Sequence, residues 1–391
     1  MPTLTVNGRR VTVDADATIL DAARAAGVEV PTLCQFDGLE PWGGCRLCVV
    51  DMSQAGWDDD WFKVVTACNH PVAEGMTVVT DSERVLDSTS ALDLPDVPGK
   101  LLVVGGGYIG LELGSVWMRL GVKVTVIEML PKIATGLDGQ VGRTLDRILR
   151  KQGMDIRVKT KVTGAKRSGK KLKVSVEQAD SKEELLFDRL LVSVGRRPLT
   201  EGLGLAAVGV DVDERSGQVK VDTDYRTSVS NIFAIGDLVA GPMLAHKASA
   251  EGIAAVETMA GKPSEVNYDA VPAIVYTHPE VASVGLTEEQ VKERGIPYCT
   301  GSYPFTGAGR ARCMGDTDGF VKILSHSRTD RVLGIHIIGA RAADMIAEGV
   351  LAMEFGASSE DIARTIHGHP TFAEALMEAA MGASECSIYG S

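Results

Sequence analysis

The sequence contains no pattern that is typical of a transmembrane helix or of a secretory signal. Its most apolar stretch, residues 101–122, contains Glu112, Arg119 and several glycines, which argues against a transmembrane helix. No N-terminal run combines basic residues with a sustained apolar segment, so we expect no secretory signal. Basic and aromatic residues are not interleaved, so nothing indicates nucleic-acid binding. These absences predict a soluble, cytoplasmic protein.

The chain of 391 residues is long enough for two or three domains, and its hydrophobic content of 45% is typical of a globular protein. Its net charge is −12, and this charge is unevenly distributed. Residues 1–85 contain 13 acidic and 6 basic residues, whereas residues 132–173 contain 13 basic and 3 acidic residues. Two solvated faces of opposite sign would explain this pattern. Electrostatic docking between an acidic electron carrier and a basic partner surface is the other interpretation.

Four of the seven cysteines, Cys34, Cys45, Cys48 and Cys68, lie within the first 68 residues. In a cytosolic protein such a group indicates a metal site and not disulfides. The spacing C-x10-C-x2-C-x19-C supplies the four thiolates that a [2Fe-2S] cluster requires. A zinc site and a set of buried, inert cysteines are the alternatives. Zinc ribbons normally supply two C-x2-C pairs, and this segment has only one.

The residues before these cysteines predict a hairpin and a helix. Apolar residues alternate on both sides of Asn7-Gly8, and Thr18 is placed to cap a helix that ends at Ala26 and stops at Gly27. With the order of the cysteines, this pattern resembles the ferredoxin-like [2Fe-2S] domain of the large iron-sulfur subunit of respiratory complex I and of iron-only hydrogenases and formate dehydrogenases. The resemblance covers about residues 1–85 and implies a β-grasp fold.

The segment LLVVGGGYIGLE at residues 101–112 predicts a nucleotide-binding turn between a buried strand and a helix that starts at Tyr108. Its glycines fit the pattern G-x-G-x-x-G at Gly105, Gly107 and Gly110. The first makes the tight turn, the second lets the backbone approach a pyrophosphate, and the third lets the helix pack on the strand. A glycine-rich turn without a ligand is the alternative interpretation.

Glu128 follows a second apolar strand, residues 122–127, and lies eighteen residues after Gly110. An acidic side chain at this place can hydrogen-bond the hydroxyls of the adenosine ribose. The sequence continues with Met-Leu-Pro and offers no nearby arginine for the extra phosphate of NADP. The pattern therefore predicts NAD as the nucleotide.

Further motifs extend from residue 86 to the C terminus: STSALDLP, VVGGGYIGLELGSVW, SVGRRP, TSVSNIFAIGD, MLAHKA, YTHPEVASVG and HGHPTFAE. Through them, roughly three quarters of the chain resembles the flavin-dependent pyridine nucleotide-disulfide oxidoreductases of the dihydrolipoamide dehydrogenase type. The resemblance implies an α/β fold with a Rossmann-like NAD domain, part of an FAD domain and an α+β C-terminal dimerisation domain. It also implies a homodimer formed by that last domain.

The resemblance assigns residues to both nucleotides. Residues 190–194 form an apolar run ending at Gly195, which taken alone is either a core strand or a strand whose tip covers the nicotinamide. The apolar run at residues 232–235 predicts a strand, with Asp237 at its carboxyl end. The resemblance implies that Asp237 holds the FAD ribityl chain, although the sequence alone equally allows it to cap a helix. The residues implied for NAD are Gly105, Gly106, Gly107, Tyr108, Ile109, Gly110, Glu112, Glu128, Val162 and Gly195. Those implied for FAD are Asp237, Met243, Leu244, Ala245 and His246.

In the motif HGHPTFAE, the resemblance implies that His369 and Glu374 form the catalytic pair. The oxidation of a dithiol needs a base, and an imidazole oriented by a carboxylate can act as one near neutral pH. Without the resemblance, a structural role for the histidine is the alternative. His367 is expected to be a solvated or structural neighbour.

Two features of that family are not found in this sequence: a second G-x-G-x-x-G turn for FAD and a C-x4-C redox disulfide. The ferredoxin-like segment stands where that half-domain is expected. FAD would then be bound only with a partner chain that supplies the missing half. We expect an NAD-linked oxidoreductase or oxidoreductase subunit that uses dihydrolipoamide or another electron donor. The alternatives are a non-catalytic electron-transfer or assembly subunit of a larger redox complex, and an artificial fusion joined near Leu86.

The sequence thus predicts five parts. Residues 1–85 form the [2Fe-2S] domain, 86–100 a junction, 101–217 the NAD domain, 218–269 the remaining part of the FAD domain, and 270–391 the dimerisation domain. Outside the N-terminal group, Cys299, Cys313 and Cys386 are isolated and are expected to be structural or incidental.

Overall fold

A computed structural model describes residues 1–28, 30, 49–54, 63–79, 84–179, 181–200 and 202–384 of the chain. The chain divides into two compact units. The first combines Met1–Leu94 with Val162–Val266, and the second combines Pro95–Lys161 with Asn267–Ser391. Each unit therefore contains two separate pieces of the chain.

The strands of the described residues are β1 (Thr3–Val6), β2 (Arg9–Thr12), β3 (Val49–Ser53), β4 (Lys63–Thr66), β5 (Thr77–Val79), β6 (Val85–Leu86), β7 (Lys100–Val104), β8 (Lys123–Ile127), β9 (Asp155–Arg157), β10 (Thr160–Ser168), β11 (Lys171–Gln178), β12 (Ser181–Phe187), β13 (Arg189–Val192), β14 (Ala273–Val275), β15 (Glu280–Gly285), β16 (Tyr298–Pro304), β17 (Phe320–His326) and β18 (Val332–Gly339).

The α-helices of the same residues are α1 (Ile19–Ala25), α2 (Tyr108–Arg119), α3 (Gly139–Lys151), α4 (Ala245–Met259), α5 (Glu288–Glu293), α6 (Gly309–Met314), α7 (Ala342–Glu354), α8 (Ser359–Arg364) and α9 (Glu374–Ala383). Short 3-10 helices occur at Ser90–Leu92, Leu205–Val208, Gly236–Leu238, Tyr268–Ala270 and Phe305–Gly307.

The first unit contains an eight-stranded sheet in the order β12-β11-β10-β4-β3-β5-β1-β2. The β1–β2 hairpin turns at Asn7 and Gly8, whose φ angles of 46° and 78° match the turn that favours an Asn-Gly pair. Thr18 caps α1 through a reciprocal capping box with Asp21. The predicted hairpin and helix are therefore confirmed. The buried side chains shared by this sheet and α1 include Leu4, Val6, Ile19, Leu20, Met76 and Val78.

Strands β10 to β12 extend this sheet and carry part of the basic segment. The Nζ atom of Lys173 lies 2.9 Å from a carboxylate oxygen of Glu184 on the paired strand, and Lys166 lies 3.5 Å from the same residue. All three side chains are exposed to solvent. Cross-strand pairs neutralise some of the positive charge in this part of residues 132–173. These contacts therefore favour the interpretation that it is a solvated face.

Residues 205–266 of the first unit form small clusters around α4 and the 3-10 helices. The sequence predicts a strand at residues 232–235, but the structure has only an isolated bridge between Arg226 and Phe233. Asp237 lies inside the 3-10 helix Gly236–Leu238 and does not cap it, because Ile235 occupies the cap position.

The second unit begins with three parallel strands in the order β7-β8-β9, connected by α2 and α3. Leu101, Leu102 and Val103 of β7 are completely buried, as a strand covered on both faces requires. The predicted strand, glycine turn, helix and second strand are all found. This βαβ arrangement places the turn at the carboxyl end of β7, where parallel sheets bind nucleotides.

The other part of the second unit is an antiparallel sheet in the order β14-β15-β18-β17-β16. Helices α7 and α9 pack against it and share a large apolar core. The rings of Phe305 and Phe372 meet edge to face, with centroids 5.8 Å apart. This core supports the loop that precedes α9, which carries the HGHP segment.

Among the described residues, no helix is long and apolar enough to cross a membrane.

Candidate functional site

The glycine-rich turn is built by backbone that only glycine accepts easily. Gly105 has a φ of +107° and donates its N–H to the carbonyl of Ile127 at 2.9 Å, which ties the turn to the end of β8. Helix α2 starts immediately afterwards at Tyr108, with Gly107 as its N-cap. The positive end of a twelve-residue helix thus lies at the turn, which is the usual environment for a phosphate.

Glu128 is bound to the same turn. One carboxylate oxygen accepts the N–H of Gly106 at 2.7 Å, and the other accepts the N–H of Leu130 at 2.7 Å. These two bonds fix the orientation of the carboxylate. Each oxygen keeps a second lone pair that can accept a hydroxyl hydrogen.

The glycines of the turn differ in the space around them. A Cβ atom at Gly106 would lie 2.9 Å from a methyl group of Ile133 and 3.1 Å from Cβ of Glu128, so a side chain there would collide with both. A Cβ atom at Gly107 would meet nothing within 4 Å. The arrangement therefore leaves room for a ligand at Gly107. Sequence reasoning explained Gly105, Gly107 and Gly110 but gave no physical reason for Gly106.

The remaining residues implied for NAD lie partly in α2 and partly in the first unit. Ile109 is half-buried and Gly110 is buried in α2. Glu112 accepts the N–H of Tyr276 at 2.8 Å, and burial raises its pKa. Val162, in β10, and Gly195, with a φ of +141°, belong to the first unit.

The residues implied for FAD lie in the first unit around the start of α4. Asp237 pairs with Arg196 at 3.3 Å, and both side chains are exposed. Leu244 is the N-cap of α4, Ala245 and His246 form its first turn, and Met243 comes just before. The structure brings these residues to two neighbouring chain segments, Gly236–Leu238 and the start of α4, which contact each other.

A buried ion pair connects those two segments and was missed by sequence reasoning. Lys247 and Glu251 have completely buried side chains 3.1 Å apart. Glu251 accepts the N–H of Gly236 at 2.7 Å, and Lys247 donates to the carbonyl of Gly236 at 3.1 Å. The pair therefore fixes the backbone beside Asp237. The signal in the sequence was a Lys and a Glu four residues apart among alanines, which places both on one helix face.

His369 and Glu374 are in contact. The Nδ1 atom of His369 lies 2.8 Å from one carboxylate oxygen of Glu374, and the N–H of Thr371 donates to the other at 2.7 Å. Burial alone would raise the pKa of Glu374, but the Thr371 N–H and the His369 ring outweigh it and the pKa is lowered. An ionised carboxylate needs a hydrogen on Nδ1, so Nε2 carries the lone pair of the neutral ring. The His369 side chain is 78% exposed, which leaves Nε2 accessible.

A second histidine-carboxylate pair stands beside the first. His367 has a side chain only 5% exposed, and its Nε2 atom lies 2.8 Å from a carboxylate oxygen of Glu348 on α7. Of the two roles expected for His367, the structural one fits this geometry, because the ring is buried and hydrogen-bonded. Sequence reasoning did not find Glu348, because nineteen residues separate it from His367 and no local pattern connects them.

Of the four cysteines implied for the [2Fe-2S] cluster, the structure describes Cys68, which is completely buried beside α1. Cys34, Cys45 and Cys48 lie outside the described residues.

Comparisons with known proteins agree with these assignments at the level of families. Residues 67–252 match the pyridine nucleotide-disulphide oxidoreductase family, and residues 271–380 match its dimerisation domain. Residues 1–83 match the 2Fe-2S iron-sulfur cluster binding domain. The fold and the two resemblances stated from the sequence are therefore confirmed.

Two curated relatives are mitochondrial dihydrolipoyl dehydrogenases. The chain is 50% identical over 339 residues to that of Caenorhabditis elegans, which covers 84% of this chain and 68% of the relative. It is 49% identical over 329 residues to the human protein, covering 83% and 64% respectively. The chain thus spans about two thirds of the length of these relatives.

Among solved structures, the HOCl-induced flavoprotein disulfide reductase RclA of Escherichia coli superposes with a TM-score of 0.70 at 30% identity. The match covers 77% of this chain and 68% of that protein. Since half of its aligned residues are identical to those of dihydrolipoyl dehydrogenases, the chain belongs to the pyridine nucleotide-disulphide oxidoreductase family, and it carries a 2Fe-2S binding domain at residues 1–83.

Proposed function

We propose that the protein is an NAD-linked oxidoreductase of the dihydrolipoyl dehydrogenase type that passes electrons between NAD(H), a flavin and a [2Fe-2S] cluster. The observation that carries this proposal is the geometry of His369, whose exposed ring is held by Glu374 through Nδ1 at 2.8 Å. The identity of about one half to dihydrolipoyl dehydrogenases supports it.

The chemistry requires a proton acceptor. When dihydrolipoamide is oxidised by NAD⁺, the two S–H bonds are replaced by one S–S bond, two electrons and one proton form NADH, and the other proton is released. In this proposal the Nε2 atom of His369 accepts a thiol proton. Glu374 stabilises the resulting imidazolium because its carboxylate already accepts the hydrogen of Nδ1. A bound flavin supplies the exchange between two-electron and one-electron transfer that the cluster needs.

The turn at Gly105, Gly106, Gly107 and Gly110 would bind the pyrophosphate of NAD, and Glu128 would bind its adenosine ribose. The open space at Gly107 and the fixed orientation of the Glu128 carboxylate support this assignment. The other residues assigned to NAD are Tyr108, Ile109, Glu112, Val162 and Gly195.

The flavin would be held by Asp237 and by residues 243–246 at the start of α4. The buried pair of Lys247 and Glu251 supports this role, because it connects α4 to the backbone of Gly236, next to Asp237. A partner chain would supply the nucleotide-binding half of the FAD domain. The cluster would be held by Cys34, Cys45, Cys48 and Cys68.

The C-terminal part, residues 270–391, would form a homodimer with two-fold symmetry. Its match to a dimerisation domain supports this assembly. Three large apolar side chains of this part are strongly exposed in the single chain, namely Leu351 at 58%, Phe355 at 82% and Ile366 at 96%. Exposed apolar surface of this kind is typical of a contact between chains.

We also propose the division into residues 1–85, 86–100, 101–217, 218–269 and 270–391, and a reducing compartment such as the cytoplasm, where thiolates stay available for iron. A non-catalytic electron-transfer or assembly subunit is the second candidate. The absence of a C-x4-C pair from the sequence favours it, because the family's redox disulfide is then not encoded here. An artificial fusion near Leu86 is the third.

An absorption spectrum of the purified chain, with iron, sulfide and flavin measured per polypeptide, separates these candidates. Bound flavin, iron and lipoamide-dependent NADH formation would support the enzyme. His369→Gln should then lower turnover roughly 10²- to 10⁴-fold, whereas His326→Gln, at the end of β17 in the same unit, should not. Iron and sulfide without flavin or turnover would contradict a self-sufficient dehydrogenase.

A further inference from the structure

The two histidines of the HGHP segment have opposite environments. The His369 side chain is 78% exposed, whereas that of His367, two residues earlier, is 5% exposed. A buried polar ring must satisfy both of its nitrogens, and His367 does so with two partners from different elements. The buried histidine is therefore a structural component of this loop.

The partners of His367 determine its protonation. Its Nδ1 atom lies 2.8 Å from the carbonyl oxygen of Thr365, and its Nε2 atom lies 2.8 Å from a carboxylate oxygen of Glu348. A carbonyl and an ionised carboxylate can only accept hydrogen bonds. Both ring nitrogens must therefore carry hydrogen, which makes His367 an imidazolium paired with the Glu348 carboxylate. In agreement, the hydrogen bond with Glu348 raises the pKa of His367 although burial opposes it.

The charged groups that act on this ring lie on two helices. Helix α7 contributes Glu348, and the start of α9 contributes Glu374. The charged side chains of α8 are occupied with each other or with a cap: Arg364 bonds Glu360 at 2.6 Å, and Asp361 caps its own helix. His367 and Glu374 attract each other, since each shifts the pKa of the other toward its charged form.

We propose that Glu348 and His367 are a positioning pair for the His369–Glu374 dyad. Glu348 on α7 holds His367 as a buried cation, and this cation anchors the loop and shares the negative charge of Glu374 with His369. The catalytic meaning of this pair rests on the proposed function, whereas its protonation and its effect on His369 do not.

The arrangement has a defined consequence for the orientation of His369. The carboxylate of Glu374 stays ionised beside the His367 cation and accepts a hydrogen bond from Nδ1 of His369, so the neutral His369 ring carries its hydrogen on Nδ1. Loss of the anchored cation at residue 367 should therefore let the neutral His369 ring exchange between its Nδ1–H and Nε2–H forms.

The test is a titration of the histidine rings by NMR on the full-length protein with labelled histidine, with resonances assigned through single substitutions. In the unsubstituted protein at pH 7, both nitrogens of His367 should carry hydrogen. Signals of a neutral ring would overturn the proposal, and this measurement requires no variant that has to fold.

The second arm uses His367→Gln and Glu348→Gln. In H367Q the nitrogen chemical shifts of the neutral His369 ring should show both the Nδ1–H and the Nε2–H form, whereas the unsubstituted protein should show Nδ1–H alone. Glu348→Gln should make His367 lose its proton at lower pH. Glu360→Gln, which removes an exposed carboxylate of α8, should change neither ring. A His369 ring that keeps Nδ1–H alone in a folded H367Q protein would overturn the proposal. Because no turnover is measured, lack of dehydrogenase activity would refute the proposed function alone.

Discussion

Glu374 holds the Nδ1 atom of His369 at 2.8 Å while its second oxygen accepts the N–H of Thr371 at 2.7 Å. Both carboxylate oxygens are thus used, and the ring keeps one orientation with Nε2 directed away from its partner. These two bonds connect His369 and Thr371 to Glu374, the first residue of α9. Its value for catalysis is orientation and charge, which can be separated by substitution.

Glu374→Gln should lower lipoamide-linked turnover roughly 10- to 100-fold, because the amide can still accept from Nδ1 but supplies no negative charge for the imidazolium. The affinity for NAD should not change. Steady-state kinetics with each substrate varied would separate kcat from KM. A loss confined to the KM for NAD would contradict the role of Glu374 beside His369.

The glycine turn gives a pair of matched substitutions. Gly106→Ala should destabilise the protein by about 1–3 kcal/mol, because its Cβ would lie 2.9 Å from Ile133. Gly107→Ala should cost no more than about 1 kcal/mol, since its Cβ meets nothing. Both should weaken NAD binding. Thermal unfolding would measure the stability of each variant, and calorimetric titration would measure its affinity for NAD. Full NAD affinity in G107A would show that the pyrophosphate does not approach the backbone at Gly107.

Glu128 provides a test of nucleotide choice. Glu128→Arg should reduce the affinity for NAD and shift the preference toward NADP, because the ribose acceptor is replaced by a cation. Glu128→Gln is the control, as it removes the charge but keeps one acceptor for Gly106 or Leu130. Dissociation constants for both nucleotides would decide. An unchanged ratio in both variants would remove Glu128 from the ribose site.

Local patterns predicted the elements of this fold well where the signals are short in sequence. The Asn7-Gly8 turn, the Thr18 cap and the glycines before α2 all act within a few residues, and each lies where it was expected. His369 and Glu374 are also close in sequence, so one turn of chain brings them together. These parts depend on backbone preferences that the residue types alone determine.

The parts that sequence reasoning missed depend on contacts between distant segments. Glu348 meets His367 across nineteen residues, and Lys322 meets Asp138 across 184 residues. Neither pair leaves a periodic or spaced signal. The expected strand at residues 232–235 failed for a related reason: an apolar run predicts a strand, but hydrogen bonds to a neighbouring strand are required to form one, and here only a single bridge exists.

The second unit contains a buried charge network around Lys322. The Nζ atom of Lys322 on β17 lies 2.9 Å from Asp138 at the N-cap of α3 and 2.6 Å from Glu288 at the start of α5. Lys322 and Asp138 are almost completely buried, and His336 lies buried on the adjacent strand. Hydrogen bonds from Lys292 and Lys322 lower the pKa of Glu288 to about 2. The network therefore joins α3 and α5 to the antiparallel sheet.

Acid should weaken this network. The folded pKa of Glu288 is below its ordinary value, so its contribution to stability is complete above that value and is lost as the pH falls through about 2. The pKa of Asp138 is lowered as well: burial opposes this, but His336 and Lys322 outweigh it. Burial lowers the pKa of His336, and acid must therefore charge a buried ring. We therefore expect the amide protection of β17, corrected for the pH dependence of intrinsic exchange, to decrease when the pH is lowered below about 5.

Removing the cation tests the same network at neutral pH. Lys322→Met should destabilise the second unit by about 3–5 kcal/mol, because it leaves the buried Asp138 carboxylate without its partner. Lys173→Met removes a solvent-accessible cross-strand pair in the first unit and should have a much smaller effect on stability. Hydrogen exchange by mass spectrometry would measure both. Equal protection of β17 in K322M and in the unsubstituted protein would mean that the apolar core of this sheet, and not the ion pair, holds α3 in place.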